Sequence, residues 1–250
     1  MKLHQLNGYI QNIYLAEYEH GLFLLDGCCR ADVAEIEHFI VNTLKRPFTD
    51  LKLVVVTHMH PDHAGAAHKL RQLTGCKVAA SSVAGQWYQG IDGYLMHLTD
   101  IALTRWVAGR KGKKTKNIWY PRYLKQDVFL TNDQPLPMFE DWQVIWTQGH
   151  TDRDISLYHS ATGQVYVADL MVQVKSELIP PYPVFYPRRY RESIDTVANL
   201  KPQKILLAHG TTENIESTMF KRVKEKAPTV PVTHWRSVKS KLSTVFSGKN

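Results

Sequence analysis

The stretch from Leu51 to Gly75 restricts the fold more than any other part of the chain. Leu51-Lys52-Leu53-Val54-Val55-Val56 is a nearly unbroken apolar run of β-branched and aliphatic residues, the signature of a strand buried on both faces. It leads directly into Thr57-His58-Met59-His60-Pro61-Asp62-His63-Ala64-Gly65, after which Ala66, Ala67, Leu70 and Leu73 recur at helical spacing up to Gly75. Cys76 to Ser81 then reads as another short strand. Strand, turn, helix and strand make a β–α–β unit, a topology that carries functional loops at the carboxyl ends of its strands. Alternate side chains of an extended segment point the same way, so His58 and His60 can offer two imidazoles to one ion. Asp62 and His63 emerge as the chain turns into the helix and supply a carboxylate and an imidazole for a neighbouring ion. A histidine pair that merely caps the helix is the alternative, but ligand-type residues this dense are themselves a metal-binding pattern.

The 250 residues, 44% of them hydrophobic, suffice for one substantial core, and a single domain over residues 1–250 is expected. Tyr9 to Leu25 reads as a hairpin turning at His20-Gly21 and ending at Asp26-Gly27, and Ala31 to Leu44 as a helix closed by Arg46-Pro47. Further strands are expected at Asp127 to Leu130, Gln143 to Thr147, Ile155 to His159, Gln164 to Ala168 and Lys204 to Ala208. Helices are expected at Ser193 to Leu200 and Glu213 to Lys226. Prolines at 180, 181, 183 and 187 point to a rigid loop from Ile179 to Pro187. Residues 86–134 read as an insertion or lid. A helical stretch from Tyr94 to Trp106 passes into a basic run with Lys111, Lys113, Lys114 and Lys116 and the aromatics Trp119, Tyr120 and Tyr123. A second basic segment occupies residues 227–250.

The net charge of +8 favours anionic partners or substrates but says nothing about fold. The opening residues lack the pattern of a secretory signal, and no apolar run is long enough to span a bilayer, so a cytoplasmic protein is expected. The cysteines, Cys28, Cys29 and Cys76, form neither a disulfide framework nor a CxxC site. Asp26 reads equally as a carboxylate orienting a ligand and as a plain turn residue before Gly27. His97 reads as a solvated histidine beside apolar neighbours, and Tyr120, Tyr123, Tyr182 and Tyr186 as packing residues that could also meet substrate.

His58, His60, Asp62 and His63 resemble the HxHxDH signature of the metallo-β-lactamase superfamily. Its later markers follow in order: Gly149-His150-Thr151, Ala168-Asp169 and His209-Gly210, each at the end of an expected strand. The resemblance implies an α/β fold, an αββα sandwich of two mixed sheets flanked by helices. It also implies that His58, His60 and His150 hold one divalent metal, Asp62, His63 and His209 a second, and that Asp169 bridges both. Zinc suits these ligands best, with manganese or iron as alternatives. Gln148 and Arg153 stand where many members have proline and glycine, and Leu207-Ala208 where many have Pro-Gly.

By that resemblance the chain is a metal-dependent hydrolase whose metal-bound hydroxide attacks a carbonyl substrate, a lactone, other ester, thioester or amide, with Asp62 holding the hydroxide and later accepting its proton. A small-molecule substrate is expected, and β-lactams are disfavoured because no export signal is seen. The basic segments keep open an alternative, a nuclease or other phosphodiesterase on the same two metals, with nucleic acid as its partner.

Overall fold

A computed structural model describes residues 1–211 and 218–233. They form two compact units, one of residues 1–140 and one from residue 141 onward. In the first unit β1 (Lys2–Asn7), β2 (Asn12–Glu17), β3 (Leu22–Leu24), β4 (Leu51–Val56), β5 (Lys77–Ser81) and β6 (Val128–Leu130) make one sheet in sequence order. The first three strands pair antiparallel, and β3 through β6 pair parallel. Strand β4 has the bounds expected from its apolar run and is buried except at half-buried Lys52. Each such leucine or valine contributes about 1.5–3 kcal/mol relative to an exposed position.

The helices of this unit are α1 (Val33–His38), α2 (Pro61–Ala64), α3 (Ala67–Thr74) and α4 (Gly90–Arg110). The helix expected over Ala31 to Leu44 is in fact divided: a 3-10 turn, then α1, then a π-helical turn over Phe39–Thr43. Helix α3 buries Ala67, Leu70 and Thr74 and stops at Gly75, whose φ of 76° is the left-handed conformation that ends helices. Residues 86–134 are partly built into the core, where Tyr88, Ile101, Ala108, Ile118 and Tyr120 join the cluster formed by the strands. His97 is not solvated. It is 1% exposed and lies among the rings of Tyr88, Trp119 and Tyr120, at centroid distances of 5.0, 5.4 and 4.8 Å. Those partners are distant in sequence, so the local pattern around His97 could not reveal its burial.

After the two-residue strand β7 (Pro135–Leu136) come β8 (Phe139–Trp146), β9 (Ile155–His159) and β10 (Gln164–Tyr166), then the hairpin β11 (Val172–Val174) and β12 (Glu177–Ile179), and finally β13 (Lys204–Leu206). In the second unit β8, β9 and β10 pair antiparallel, and β13 joins β10 in parallel. Helices α5 (Pro187–Asn199) and α6 (Met219–Lys226) cover a core of Val165, Tyr190, Ile194, Val197, Ile205 and Val223. Helix α5 begins at Pro187, six residues before the expected start at Ser193, because proline is suited to the first helical position and so opens the helix instead of ending the loop. The expected helical residues 213–217 and most of the basic segment 227–250, residues 234–250, lie outside the described residues.

Both units are mixed sheets with helices against them, so the chain is α/β as expected. Among the described residues no helix is long and apolar enough to cross a membrane.

Buried Asp32 accepts hydrogen bonds from the backbone of Tyr9 (2.7 Å) and Cys29 (3.0 Å). Burial nevertheless outweighs those bonds and pushes its pKa up to about 6. A carboxyl raised in the folded state binds its proton more tightly there than in the unfolded chain. Its stabilising contribution is therefore complete below the ordinary value near 4 and is lost as pH rises through about 6, a change of about 3 kcal/mol. Urea unfolding of the metal-free protein at pH 4.5 and pH 7 is expected to show about 2 kcal/mol of this loss, and Asp32→Asn should remove most of it. Equal pH dependence in the two proteins would exclude Asp32 as the cause.

Candidate metal centre

In the first unit, β3 and β4 are parallel neighbours, so the residues that follow them emerge side by side. Asp26 comes after β3, and Thr57 to His63 after β4. The Asp26 carboxylate, 5% exposed, accepts hydrogen bonds from the backbone of Gly27 (2.9 Å) and Thr57 (3.2 Å), from the Thr57 hydroxyl (2.8 Å) and from His63 Nδ1 (2.6 Å). The structure thus decides between the two readings of Asp26: it orients His63. Gly27 must be glycine, since a Cβ there would lie 2.4 Å from the His63 carbonyl oxygen, whose hydrogen bond from the Gly27 N–H closes the turn.

These contacts set the tautomers. With Nδ1–H given to a carboxylate, His63 presents its Nε2 lone pair on the side of Asp62, whose Oδ2 is 3.5 Å away. The Thr57 hydroxyl donates to Asp26 and so accepts from His58 Nδ1, at 3.2 Å. His58 Nε2 then faces His60 Nδ1 at 3.2 Å. All four residues are buried, Asp62 at 7% exposure and His63 at 0%.

In the second unit three loops leave the sheet at one edge. β8 and β9 form a hairpin whose loop carries His150, β10 runs antiparallel to β9 and ends just before Asp169, and β13 lies parallel to β10 and ends before His209. The His150 loop is held by buried Asp154, which accepts from the backbone of Gly149 (3.1 Å) and Thr151 (2.6 Å) and from the Thr151 hydroxyl (2.6 Å). Gly149 lies at φ 149°, and a Cβ there would fall 2.4 Å from the Cα of Tyr190 on α5, so this turn admits no side chain. The Ser193 hydroxyl donates to the Gln148 carbonyl (2.8 Å), and Arg153 pairs with Asp152 (2.8 Å), so the two residues of this loop that depart from the usual pattern are tied to their own surroundings.

His150 Nδ1 donates to the Pro183 carbonyl at 2.5 Å, which leaves Nε2 as the lone-pair nitrogen. It lies 3.5 Å from Asp169 Oδ2, while His209 Nε2 lies 3.4 Å from the other oxygen, Oδ1. One carboxylate thus turns each oxygen to a different imidazole. The backbone beside Asp169 is fixed by Tyr190, whose hydroxyl donates to the Leu170 carbonyl at 2.6 Å and whose pKa burial pushes well up, keeping it a neutral donor.

The structure therefore gathers His58, His60, Asp62 and His63 at one sheet edge of the first unit, and His150, Asp169 and His209 at one sheet edge of the second. Asp154 and Tyr190 were missed in sequence. Thr151-x-x-Asp154, a hydroxyl three residues before a carboxylate, is the one signal that could have flagged the first. Of the tyrosines considered, Tyr120 is buried with its hydroxyl on the Met59 carbonyl, whereas Tyr123 and Tyr182 are exposed.

A model of the metallo-β-lactamase superfamily matches residues 6–209. The chain belongs to the metallo-β-lactamase superfamily. A relative is the probable metallo-hydrolase YflN of Bacillus subtilis (strain 168), 28% identical over 246 residues, with 87% of this chain and 88% of YflN covered. Among solved structures, the metallo-β-lactamase family protein TTHA1429 from Thermus thermophilus aligns with a TM-score of 0.67 at 19% identity, over 89% of this chain and 78% of its own. TTHA1623 in a di-iron-bound form gives 0.60 at 20% identity, over 89% and 98%. These likenesses establish the metallo-β-lactamase fold that the motifs imply. This superfamily member is a metallo-hydrolase, and its donor set fits divalent ions: imidazoles beside carboxylates, with one ring nitrogen of His58, His63 and His150 turned to a fixed acceptor and the other left for an ion.

Proposed function

We propose that the chain is a dinuclear metal-dependent hydrolase of a carbonyl substrate, a lactone, other ester, thioester or amide, and that both units form one catalytic domain. His58, His60 and His150 would hold one ion, Asp62, His63 and His209 the other, and Asp169 would bridge them. The observation that carries this reading is Asp169, whose two oxygens face the imidazoles of His150 and His209. Two ions at such a centre supply Lewis acidity and bring the pKa of a bound water from about 15.7 to about 7. The protein's part is positional. Asp26, Thr57 and the Pro183 carbonyl hold the imidazoles in the required tautomers, and Asp62 holds a proton of the attacking water and accepts it as the carbonyl is opened. Zinc suits the set, and iron and manganese are accepted by the same ligands. Buried free thiols at Cys28, Cys29 and Cys76 support a reducing, cytoplasmic setting.

The second reading, a phosphodiesterase acting on nucleic acid, draws on one observation: the exposed basic residues from Lys111 to Lys116 lie in sequence between exposed Trp106 and exposed Trp119 and Tyr123. Elemental analysis is expected to find up to two divalent ions per chain in the purified protein and fewer in His58→Ala and Asp169→Ala. Full metal content in both variants would sink the site assignment. A turnover panel of lactones, thioesters, β-lactams and phosphodiesters is expected to show activity on carbonyl compounds. Turnover of phosphodiesters alone would replace the first reading by the second.

A further inference from the structure

His58 and His60 offer nitrogens 3.2 Å apart, His58 through Nε2 and His60 through Nδ1. For both lone pairs to serve one ion, the ring proton of His60 must sit on Nε2. The His60 side chain is only 10% exposed, and a donor in such a place calls for an acceptor. The carboxylate that faces it comes from the middle of α4. Asp100 Oδ2 lies 3.7 Å from His60 Nε2, longer than a direct hydrogen bond but close enough for its charge to favour a proton on that nitrogen, and the Asp100 side chain is only 6% exposed.

Asp100 is itself held. The Tyr88 hydroxyl donates to its Oδ2 at 2.8 Å. Tyr120 donates to the carbonyl of Met59, the residue between the two histidines, at 2.5 Å, and the Tyr88 hydroxyl lies 3.2 Å from the same oxygen. Burial pushes the pKa of both phenols well above the ordinary range, so both stay protonated donors. Residues 86–120, whose sequence suggested an insertion over the site, thus place two phenols and a carboxylate behind the His58–His60 pair.

We propose that Asp100, braced by Tyr88, is a positioning residue for the metal centre: it fixes the Nε2–H tautomer and the orientation of His60, as Asp26 does for His63. This rests on the dinuclear reading. A carboxylate behind a ligating imidazole raises the basicity of the ligand and holds its ring in place, and loss of such a partner commonly costs about 10- to 100-fold in metal affinity. Asp100→Asn keeps the shape but removes the charge that attracts the Nε2 proton. Tyr88→Phe leaves Asp100 in place and removes its brace.

The test is competition for zinc against a chromophoric chelator, with thermal unfolding of the metal-free proteins alongside. Asp100→Asn is expected to bind zinc about 10- to 100-fold more weakly than the unmodified protein, and Tyr88→Phe to show a smaller loss in the same direction. In zinc-loaded protein, the His60 Nε2–H resonance in imidazole nitrogen–proton spectra should shift in Asp100→Asn, a change that general loosening of α4 would not produce selectively. If Asp100→Asn does not fold, Tyr88→Phe and the resonance of His60 in it decide the matter. Unchanged zinc affinity and an unchanged His60 resonance would overturn the proposal. His58→Ala separates this failure from that of the underlying reading: unaltered zinc binding there would remove the centre itself, whereas loss there with no effect at Asp100 would remove only the positioning role.

Discussion

Asp62→Asn is expected to lower kcat by about 10²- to 10⁴-fold while leaving the metal-free fold in place, since a positioned general base contributes on that scale. The amide has nearly the volume of the carboxylate, and Asp62 is 7% exposed at the start of the short helix α2, so packing is preserved. What changes is charge. An asparagine neither balances a cation beside His63 nor accepts a proton from an attacking water, so occupancy of the second site and proton transfer fall together. Steady-state kinetics with excess metal, beside the thermal midpoint of the metal-free protein, separates the two readings of this residue. A kcat within tenfold of the unmodified enzyme would exclude the proposed role. A merely structural Asp62 would show the reverse pattern, a lowered midpoint with turnover kept.

Legibility in the sequence followed the range of the interaction that fixes each feature. Strand β4 was readable residue for residue because a central parallel strand buries both faces and so shows as a continuous apolar run. The dense ligand pattern beyond it and the stop of α3 at Gly75 were equally local. Strand β1 was not foreseen, since only Leu6 of its six residues is buried and they carry no alternation that burial would impose. The hairpin β11–β12 was hidden for the same reason, with only half-buried and exposed side chains. The contacts that orient the proposed ligands join residues far apart in the chain. His63 meets Asp26 across 37 positions and His150 meets Pro183 across 33, distances over which no spacing rule operates. Asp100 and His97 were concealed likewise, because α4 has core residues on a face that its basic and aromatic neighbours mask.

Removing the Asp26 side chain should strongly destabilise the first unit, with Asp26→Ala losing on the order of 3–5 kcal/mol, because several buried donors lose one carboxylate acceptor at once. Four donors converge on this carboxylate: the Gly27 and Thr57 amides, the Thr57 hydroxyl and His63 Nδ1, the last at 2.6 Å. Each buried donor left without an acceptor costs about 1–3 kcal/mol; the Gly27 amide keeps the His63 carbonyl, and the other three are not additive because one cavity strands them together. The ends of β3 and β4 would lose their link, and His63 its fixed tautomer. Asp26→Asn should fall between, since one of its two side-chain atoms becomes a donor and must oppose a donor already present. Urea midpoints of the three metal-free proteins would show the order Asp26, Asn, Ala. Zinc content should fall in the same order, because a His63 ring free to turn presents Nε2 only part of the time. An alanine variant within about 1 kcal/mol of the unmodified protein would mean that water replaces the carboxylate at this edge of the sheet. The hydrogen bonds of Asp26 would then describe the turn without sustaining it, and the tautomer of His63 would have to be set by the ion itself.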